Sequence, residues 1–502
     1  MLRLWLCAAC ASLAGCSSDT TGPTPEPELR LTLRPDAPIV FPAEGGRAEI
    51  VVSTDLPVWE AVSDQEWCRI ETEENRLTVS AGPNATTSLM PLATVTVTAG
   101  TPPRSISTTL KVSQERGERR TVNLSASGTA NCYLIGEACD YLFDATVRGN
   151  GAATQGLEAP ATIAAARAEL VWQTTPGMID GVELTGGQVA FSASGTPGNA
   201  LIAVENAQGE ILWSWHIWFP ESEVGSLATA AGYEVMNLNL GAMCDRTADP
   251  GSYGLLYQWG RKDPFPAAAT LTGTTQTVGA PLYDAAGKSV GIDHSSWSDT
   301  QSNTLAYAIA HPTVCLSNYA QYSSSRDWLR ADQSSDALWG NPAGGEKNAN
   351  NDFVNKGSKS FYDPCPVGWR VPPADVFRSF TTSGGYTWTI EDFDIRDTSG
   401  DGQLSIDDYD HGWTFNLGPG TWSYFPAAAR YDGSYAMLMG SVSGLWGSYW
   451  GNAPYPGDMF RGGAYSVLSF QIKDQAGNEM ITATPAGGGA RADAYSVRCI
   501  RE

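Results

Sequence analysis

Between residues 35 and 117, apolar and polar side chains alternate with a period of two, the pattern that turns one face of an extended strand to a core and the other to water. Arg47-Ala-Glu-Ile-Val-Val-Ser53 and Leu92-Ala-Thr-Val-Thr-Val-Thr98 follow it, Pro57-Val-Trp-Glu60 resumes it after a turn, and Ser105-Ile-Ser-Thr-Thr-Leu-Lys-Val-Ser-Gln114 closes the set. Short strands at this spacing predict a small β-sandwich. Residues 119 to 219 predict a second β-rich unit that starts with Thr121-Val-Asn-Leu-Ser-Ala-Ser127 and Asn131-Cys-Tyr-Leu-Ile135. Its clearest signal is a hairpin: Ala200-Leu-Ile-Ala-Val-Glu-Asn206, a Gln208-Gly209 turn, then Glu210-Ile-Leu-Trp-Ser-Trp-His-Ile-Trp218. Trp213, Trp215 and Ile217 share one face of that strand and Ser214, His216 and Trp218 the other, so bulk on both faces predicts a central strand.

Composition narrows the picture without deciding it. The 502 residues are 42% hydrophobic and 17% charged, too apolar for a disordered tail, and the length suits about three domains. A formal net charge of -23 argues against a nucleic-acid partner. The 53 Gly, 30 Pro and 17 Trp suit many short strands joined by turns.

The chain begins MLRLWLCAACASLAGC, one basic residue and then an apolar run too short to span a bilayer as a permanent helix. Leu13-Ala-Gly-Cys16 resembles the bacterial lipoprotein lipobox, which implies a signal peptide over residues 1–15 and acylation, with palmitate among the acyl groups, at Cys16. Residues 16–34 open as a Ser/Thr/Pro/Glu tether. Ser17 rather than Asp after the cysteine implies, by the same resemblance, a lipid anchor in the outer membrane. Seven cysteines then remain, and export permits disulfides among them. An odd count leaves at least one thiol free or paired outside the chain, and a Cys132–Cys139 pair stays open.

Over residues 35–118 the order FPAEGG, STDLPVWEAV, EWCRIE, NRLTVSAGPNATT, LATVTVTAG and TTLKVSQE resembles the Bacteroidetes-associated carbohydrate-binding often N-terminal (BACON) domain. The resemblance implies an Ig-like β-sandwich. Trp59 and Trp67 could stack on sugar rings or plug the core; the expectation is core, with the domain acting as a spacer.

From residue 220 to 502 the blocks Asn237-Leu-Asn-Leu-Gly-Ala242, Tyr253-Gly-Leu-Leu-Tyr-Gln-Trp-Gly-Arg-Lys-Asp263, Asp363-Pro-Cys-Pro-Val-Gly-Trp-Arg-Val-Pro372, Phe425-Pro-Ala-Ala-Ala429 and Tyr495-Ser-Val-Arg-Cys-Ile500 occur in order. Together they resemble the Fibrobacter succinogenes major paralogous domain. Phe460-Arg-Gly-Gly-Ala464 followed by Ser496-Val-Arg-Cys-Ile500 is similar to the framework of the formylglycine-generating enzyme relatives. Both resemblances imply an α+β, C-type-lectin-like fold whose chain end returns to the core sheet, and hence a Cys365–Cys499 disulfide. The fold class expected is therefore multidomain and mainly β.

Catalytic patterns are scarce. Formylglycine generation needs a reactive cysteine pair near the C-terminal sheet, and only Cys499 lies in the last hundred residues. No zinc helix, phosphate loop or nucleophile elbow occurs. His216, His294, His311 and His411 lack partners at ligand spacing, and His216 reads as a structural core residue. Asp397-Thr-Ser-Gly-Asp-Gly-Gln-Leu-Ser-Ile-Asp-Asp408 fits a twelve-residue calcium loop and resembles the dockerin version. Asp397, Ser399, Asp401 and Asp408 would ligate through side chains, Gln403 through its carbonyl and Ser405 through a water. Gly402 would supply the turn and Leu404 the anchor. Ser399 in place of Asp or Asn should weaken affinity, and the expected Ca2+ role is structural. Aromatic residues gather around this loop, among them Trp413, Trp422, Tyr424 and Tyr431. The resemblance puts most of them in core strands, and Trp446, Tyr449, Trp450 and Tyr455 are the candidate ligand-binding set, with Asp432 or Asp458 as polar contacts.

These observations predict a non-catalytic, adhesin-like lipoprotein on the cell surface, whose lectin-like head binds a glycan or a host or envelope protein. A polysaccharide-acting enzyme with an accessory β-domain, or a structural or fimbrial-tip component, are the alternatives.

Overall fold

The computed structural model of the chain describes residues 28–84, 89–117, 119–295, 303–317, 326–384, 390–455, 463–473, 479–485 and 487–502. The leader with Cys16 lies outside the described residues, as do Asp458 and Phe460. The protein is mainly β, with several sheets. Its two compact units divide between Arg119 and Arg120.

The first unit contains strands β1 (Leu31–Arg34), β2 (Ile39–Phe41), β3 (Gly46–Thr54), β4 (Trp59–Ser63), β5 (Cys68–Glu73), β6 (Arg76–Ala81), β7 (Ala93–Thr101) and β8 (Arg104–Gln114). They form two four-stranded sheets, β1-β3-β6-β5 and β2-β8-β7-β4, around one core. The period-two pattern decides which face goes in: on β7 Ala93, Val95, Val97 and Ala99 are fully buried, while Thr96 between them is exposed. Each buried valine stabilises the unit by roughly 1.5–3 kcal/mol. Trp59 and Trp67 sit half-buried against this core, and their indole N–H groups donate to Glu74 O (2.8 Å) and Pro91 O (3.0 Å). They close the rim of the sandwich rather than its centre. Gln114 at the end of β8 donates to Gly82 O (2.7 Å) and to Pro42 O and Ala43 O (3.3 Å each), tying two loops together.

The second unit begins with β9 (Thr121–Asn123), β10 (Cys132–Leu134), β11 (Asp140–Asp144), β12 (Arg167–Gln173), β13 (Ile179–Thr185), β14 (Gln188–Ala193), β15 (Gly198–Glu205) and β16 (Ile211–Phe219). One sheet runs β13-β14-β11-β9. The other runs β10-β16-β15-β12 and continues through Leu282–Tyr283 and Ser289–Val290. The predicted hairpin is present, with Leu201 opposite His216, and β16 lies between two neighbours.

The expected boundary at 219/220 does not separate compact units, and β16 shows why. It carries tryptophan on both faces and is buried along Trp213–Phe219, so both faces are covered. Trp215 packs on Phe143, 5.0 Å between ring centroids. Trp213 faces Tyr362 (5.6 Å), the Trp218 indole donates to Ala242 O (2.8 Å), and Ser214 Oγ donates to Asp263 (2.5 Å). Asn131 donates to Phe361 O and Asp363 O and accepts the Trp213 indole N–H (2.8–2.9 Å). One core therefore runs from Cys132 to Cys499.

Past residue 220 the longest sheet carries Leu255–Gln258, Ala494–Ser496, Trp446–Pro454, Gly463–Lys473 and Glu479–Thr484 side by side. A smaller sheet pairs Trp369–Arg370 with Ile500–Arg501 and the latter with Glu234–Met236. Cys365 and Cys499, beside these strands, form a disulfide, the pair that the resemblance implied. Cys132 and Cys139 do not pair: Cys132 lies on β10 and Cys139 just before β11 of the other sheet, and both are buried free thiols, as are Cys68, Cys244 and Cys315. Among the described residues the one α-helix is Leu305–Ala310, capped by Thr304 Oγ1 accepting from Tyr307 N. A second core gathers Val376, Phe377 and Phe380 with Trp413, Phe415, Phe425, Tyr449 and Phe470.

Candidate calcium loop and solvent-facing grooves

The segment Asp397–Asp408 forms a closed loop held by its own carboxylates. Asp397 accepts Gly400 N (2.6 Å), Gly402 N (2.8 Å) and the Ser399 hydroxyl (3.1 Å), and Asp401 accepts Gln403 N (2.8 Å). Gly402 has φ +79°, a left-handed conformation that a side chain at this turn would strain. Leu404 and Ile406 pack on the second core. Asp408 is buried, and its oxygens accept Thr398 N, Ser399 N and Ser405 N at 2.8–2.9 Å. Burial pulls this carboxyl upward, but those N–H groups hold it below the ordinary range.

The loop has the turn, the inward anchor and the hard oxygens that calcium requires at Asp397, Ser399, Asp401 and the Gln403 carbonyl. Asp408 Oδ1 accepts two of these N–H groups and Oδ2 one, so only Oδ2 keeps a lone pair for a cation. The three carboxylates do not meet as a cluster in this arrangement, and no such cluster occurs among the described residues.

The candidate aromatic set divides. Tyr449 and Trp450 are fully buried, which removes them as stacking platforms. Tyr449 donates to Pro426 O (2.7 Å) and Trp450 to Tyr257 O (2.7 Å), with the Trp450 ring stacked on Tyr495 at 4.2 Å. Their strand is covered on both faces, which its aromatic richness required. Trp446 is half-buried under the guanidinium of Arg430 (4.9 Å), and Tyr455 is half-buried against Phe353, Ala374 and Ala453. Trp413 is fully buried and Tyr424 and Tyr431 nearly so, while Trp422 lies half-buried under Arg396 (4.9 Å). Asp432 accepts the N–H of Ser434 at its own turn (2.9 Å).

His216 is a core residue. Its Nε2 lies 2.8 Å from Asn199 Oδ1, whose amide donates to Gly241 O, so Nε2 carries the proton and Nδ1 is a buried acceptor with no partner among the described residues. Burial pushes its pKa down to about 3. The unfolded chain therefore takes up a proton between pH 6.5 and 3 that the fold refuses, and stability falls with pH in that window by about 1.4 kcal/mol per unit. Asp363 acts in the opposite sense: burial raises its carboxyl to about 6 against the pull of Lys359, so acidification from pH 6 to 4 relieves a buried charge. The two slopes roughly cancel below pH 6. Replacing His216 by Gln should therefore leave a protein that gains stability from pH 6 to 4.5, by about 1–2 kcal/mol relative to the wild type. Urea unfolding at pH 7.5, 6 and 4.5 checks this.

The other buried cations also serve the framework. Lys359 donates to Cys365 O, Pro366 O and Trp369 O. Arg498 donates to Asn239 Oδ1, Ser423 Oγ and Tyr424 O at 2.8–2.9 Å, and burial pushes its pKa down to about 10.

Two open grooves mark the surface of this unit. One, of about 800 Å³, is largely apolar and lies between Val278, Val290, Ile292, Tyr431 and Met437. The other, of about 500 Å³, is polar, with Ala230 and Ala231 on one wall and Asp375, Arg378, Ser379 and Thr382 on the other. Neither is foreseen in the sequence, where the two walls of the polar basin stand more than 140 positions apart.

No protein-family model and no curated protein matches the chain. Solved structures similar to parts of it include a chimeric titin Z1Z2-Z1Z2 tandem, at 10% identity over 38% of this chain and 98% of the other, with a TM-score of 0.14. The I67-I69 fragment of titin matches at 9% identity over 38% of this chain and 64% of the other, with a TM-score of 0.14. The D00-D0 domain of intimin matches at 13% identity over 38% and 96%, with a TM-score of 0.15.

Proposed function

We propose that the chain is a non-catalytic, adhesin-like lipoprotein, anchored through Cys16 in the outer membrane and displayed on the cell surface. Its first unit is read as an Ig-like spacer of the BACON type. Residues 120–502 are read as a head whose larger part has the C-type-lectin-like fold of the Fibrobacter succinogenes major paralogous domain, and which binds a glycan or a host or envelope protein. The observation that carries this reading is where the charges of the head are spent. Lys359, Arg498 and Arg261 donate into main-chain carbonyls, and His216 is held neutral. Such groups hold loops in place, and the open grooves, one largely apolar and one lined by hydroxyls with Asp375 and Arg378, suit recognition.

Cells that display the full chain test it. They should adhere to a glycan or host-protein surface, and Cys16→Ala should abolish both acylation and adhesion. Adhesion unchanged by Cys16→Ala would refute the anchor.

In the same reading the Asp397–Asp408 loop takes Ca2+ and braces the second core through Leu404 and Ile406. With the affinity of roughly 10⁻⁴ to 10⁻³ M typical of extracellular modules, about 5 mM Ca2+ should stabilise the head by about 1–2 kcal/mol. Asp397→Asn should remove that increment. A melting temperature indifferent to Ca2+ and chelator would count against the ion.

A further inference from the structure

We infer that the polar basin between Ala231 and the turn Asp375–Thr382 is a binding site for a neutral saccharide, which it grips by the ligand's hydroxyl hydrogens. This rests on the reading of the head as a recognition module and names a ligand class for it.

The wall of the basin is preorganised. The 3-10 turn Val376–Phe380 buries Val376, Phe377 and Phe380 completely in the second core, which turns Arg378 and Ser379 toward the basin. At its start Asp375 is only 5% exposed, and its two oxygens accept the Tyr233 hydroxyl (3.1 and 3.3 Å) while Lys356 Nζ also pairs with it. A carboxylate held by two partners keeps lone pairs for a third donor.

The hydroxyls point the same way chemically. Thr382 Oγ1 and Ser383 Oγ each donate to Asp392 (2.8 Å), while the Ser379 hydroxyl, 3.4 Å from Val376 O, keeps its hydrogen free to turn. A hydroxyl whose hydrogen is committed to the protein offers its lone pairs outward as an acceptor. Arg378 is already engaged, with Nε on Gly384 O (2.9 Å) and Nη1 on Asp352 (3.1 Å). The basin therefore presents hydroxyl and carboxylate acceptors, with Asp352, Asp375 and Asp392 set against Arg378 and Lys356. Such a surface favours a ligand rich in donors and without negative charge, which is the chemistry of neutral sugar diols. A uronate, a sulfated sugar or a phosphate would add a negative charge where three carboxylates, Asp352, Asp375 and Asp392, already outnumber the cations Arg378 and Lys356. Among the described residues the lining is hydroxyl, carboxylate, guanidinium and alanine side chains, which hold a sugar through its hydroxyls.

The test uses the full chain from residue 17, with a panel of immobilised neutral and acidic oligosaccharides. Ala231 is exposed, so Ala231→Trp fills the basin without disturbing a core. The site predicts binding confined to neutral glycans, weakened at least tenfold by Ala231→Trp and several-fold by Thr382→Val, with melting temperatures unchanged. Neutral-glycan binding unaffected by Ala231→Trp would overturn the basin as the site and leave the recognition reading standing. A preference for acidic glycans, lost in Ala231→Trp, would overturn the ligand class. Absence of glycan binding by any variant would overturn the inference together with the glycan form of the reading beneath it.

Discussion

Replacing Cys365 and Cys499 together by alanine is expected to lower the stability of residues 120–502 by about 4–5 kcal/mol. The bridge spans 134 residues of sequence, and closing a loop of that length removes about 5 kcal/mol of chain entropy from the unfolded state. Both cysteines are fully buried, so the exchange for alanine also leaves a small void at the junction of Trp369–Arg370 with Ile500–Arg501. Urea titration followed by tryptophan fluorescence gives the number. A loss below about 1 kcal/mol would mean that the C-terminal strand is held by its packing alone.

Lys359→Met should cost a similar amount, about 3–5 kcal/mol, for a different reason. The ammonium is the shared donor to three carbonyls within Asp363-Pro-Cys-Pro-Val-Gly-Trp369, and a methionine of like volume leaves all three buried without it. Lys359 also lies 3.6 Å from Glu502, but that carboxylate is 42% exposed and screened by water. Glu502→Gln should therefore change stability by less than about 1 kcal/mol. Equal losses from the two variants would show that the ion pair, and not the carbonyl cage, holds the turn.

The contacts around β16 show why the boundary at 219/220 does not separate compact units. The alternation along residues 47–53 and 92–98 decides the first unit because every partner lies within the same short stretch. The bulk on both faces of β16 announced a central strand and also demanded a cover on each face. What covers it lies far along the chain: Asn131 meets Phe361 and Asp363 some 230 positions away, and Trp218 meets Ala242. Spacing carries no trace of such pairs. The aromatic run Trp446–Trp450 is ambiguous for a related reason, since a ring-rich strand reads alike as platform or core until its neighbours are known; the resemblance points to core for most of it, and Tyr449 and Trp450 are core. The calcium loop was legible as a turn, because Gly402 and the carboxylates act within twelve residues. The polar basin was not, because Ser379 and Thr382 are ordinary residues until a buried 3-10 turn aims them.

The shared core also decides which form of the protein should be assayed. A fragment starting at residue 220 would lack β16 and expose the surface that covers it, so recognition is measured on the full chain. The most direct measurement passes the chain from residue 17 over immobilised neutral oligosaccharides and analyses the eluted glycan by mass spectrometry. The account predicts saturable retention, weakened by Ala231→Trp, with the glycan recovered intact. Cleaved glycan would contradict the non-catalytic reading, and absence of retention would contradict glycan recognition by the head.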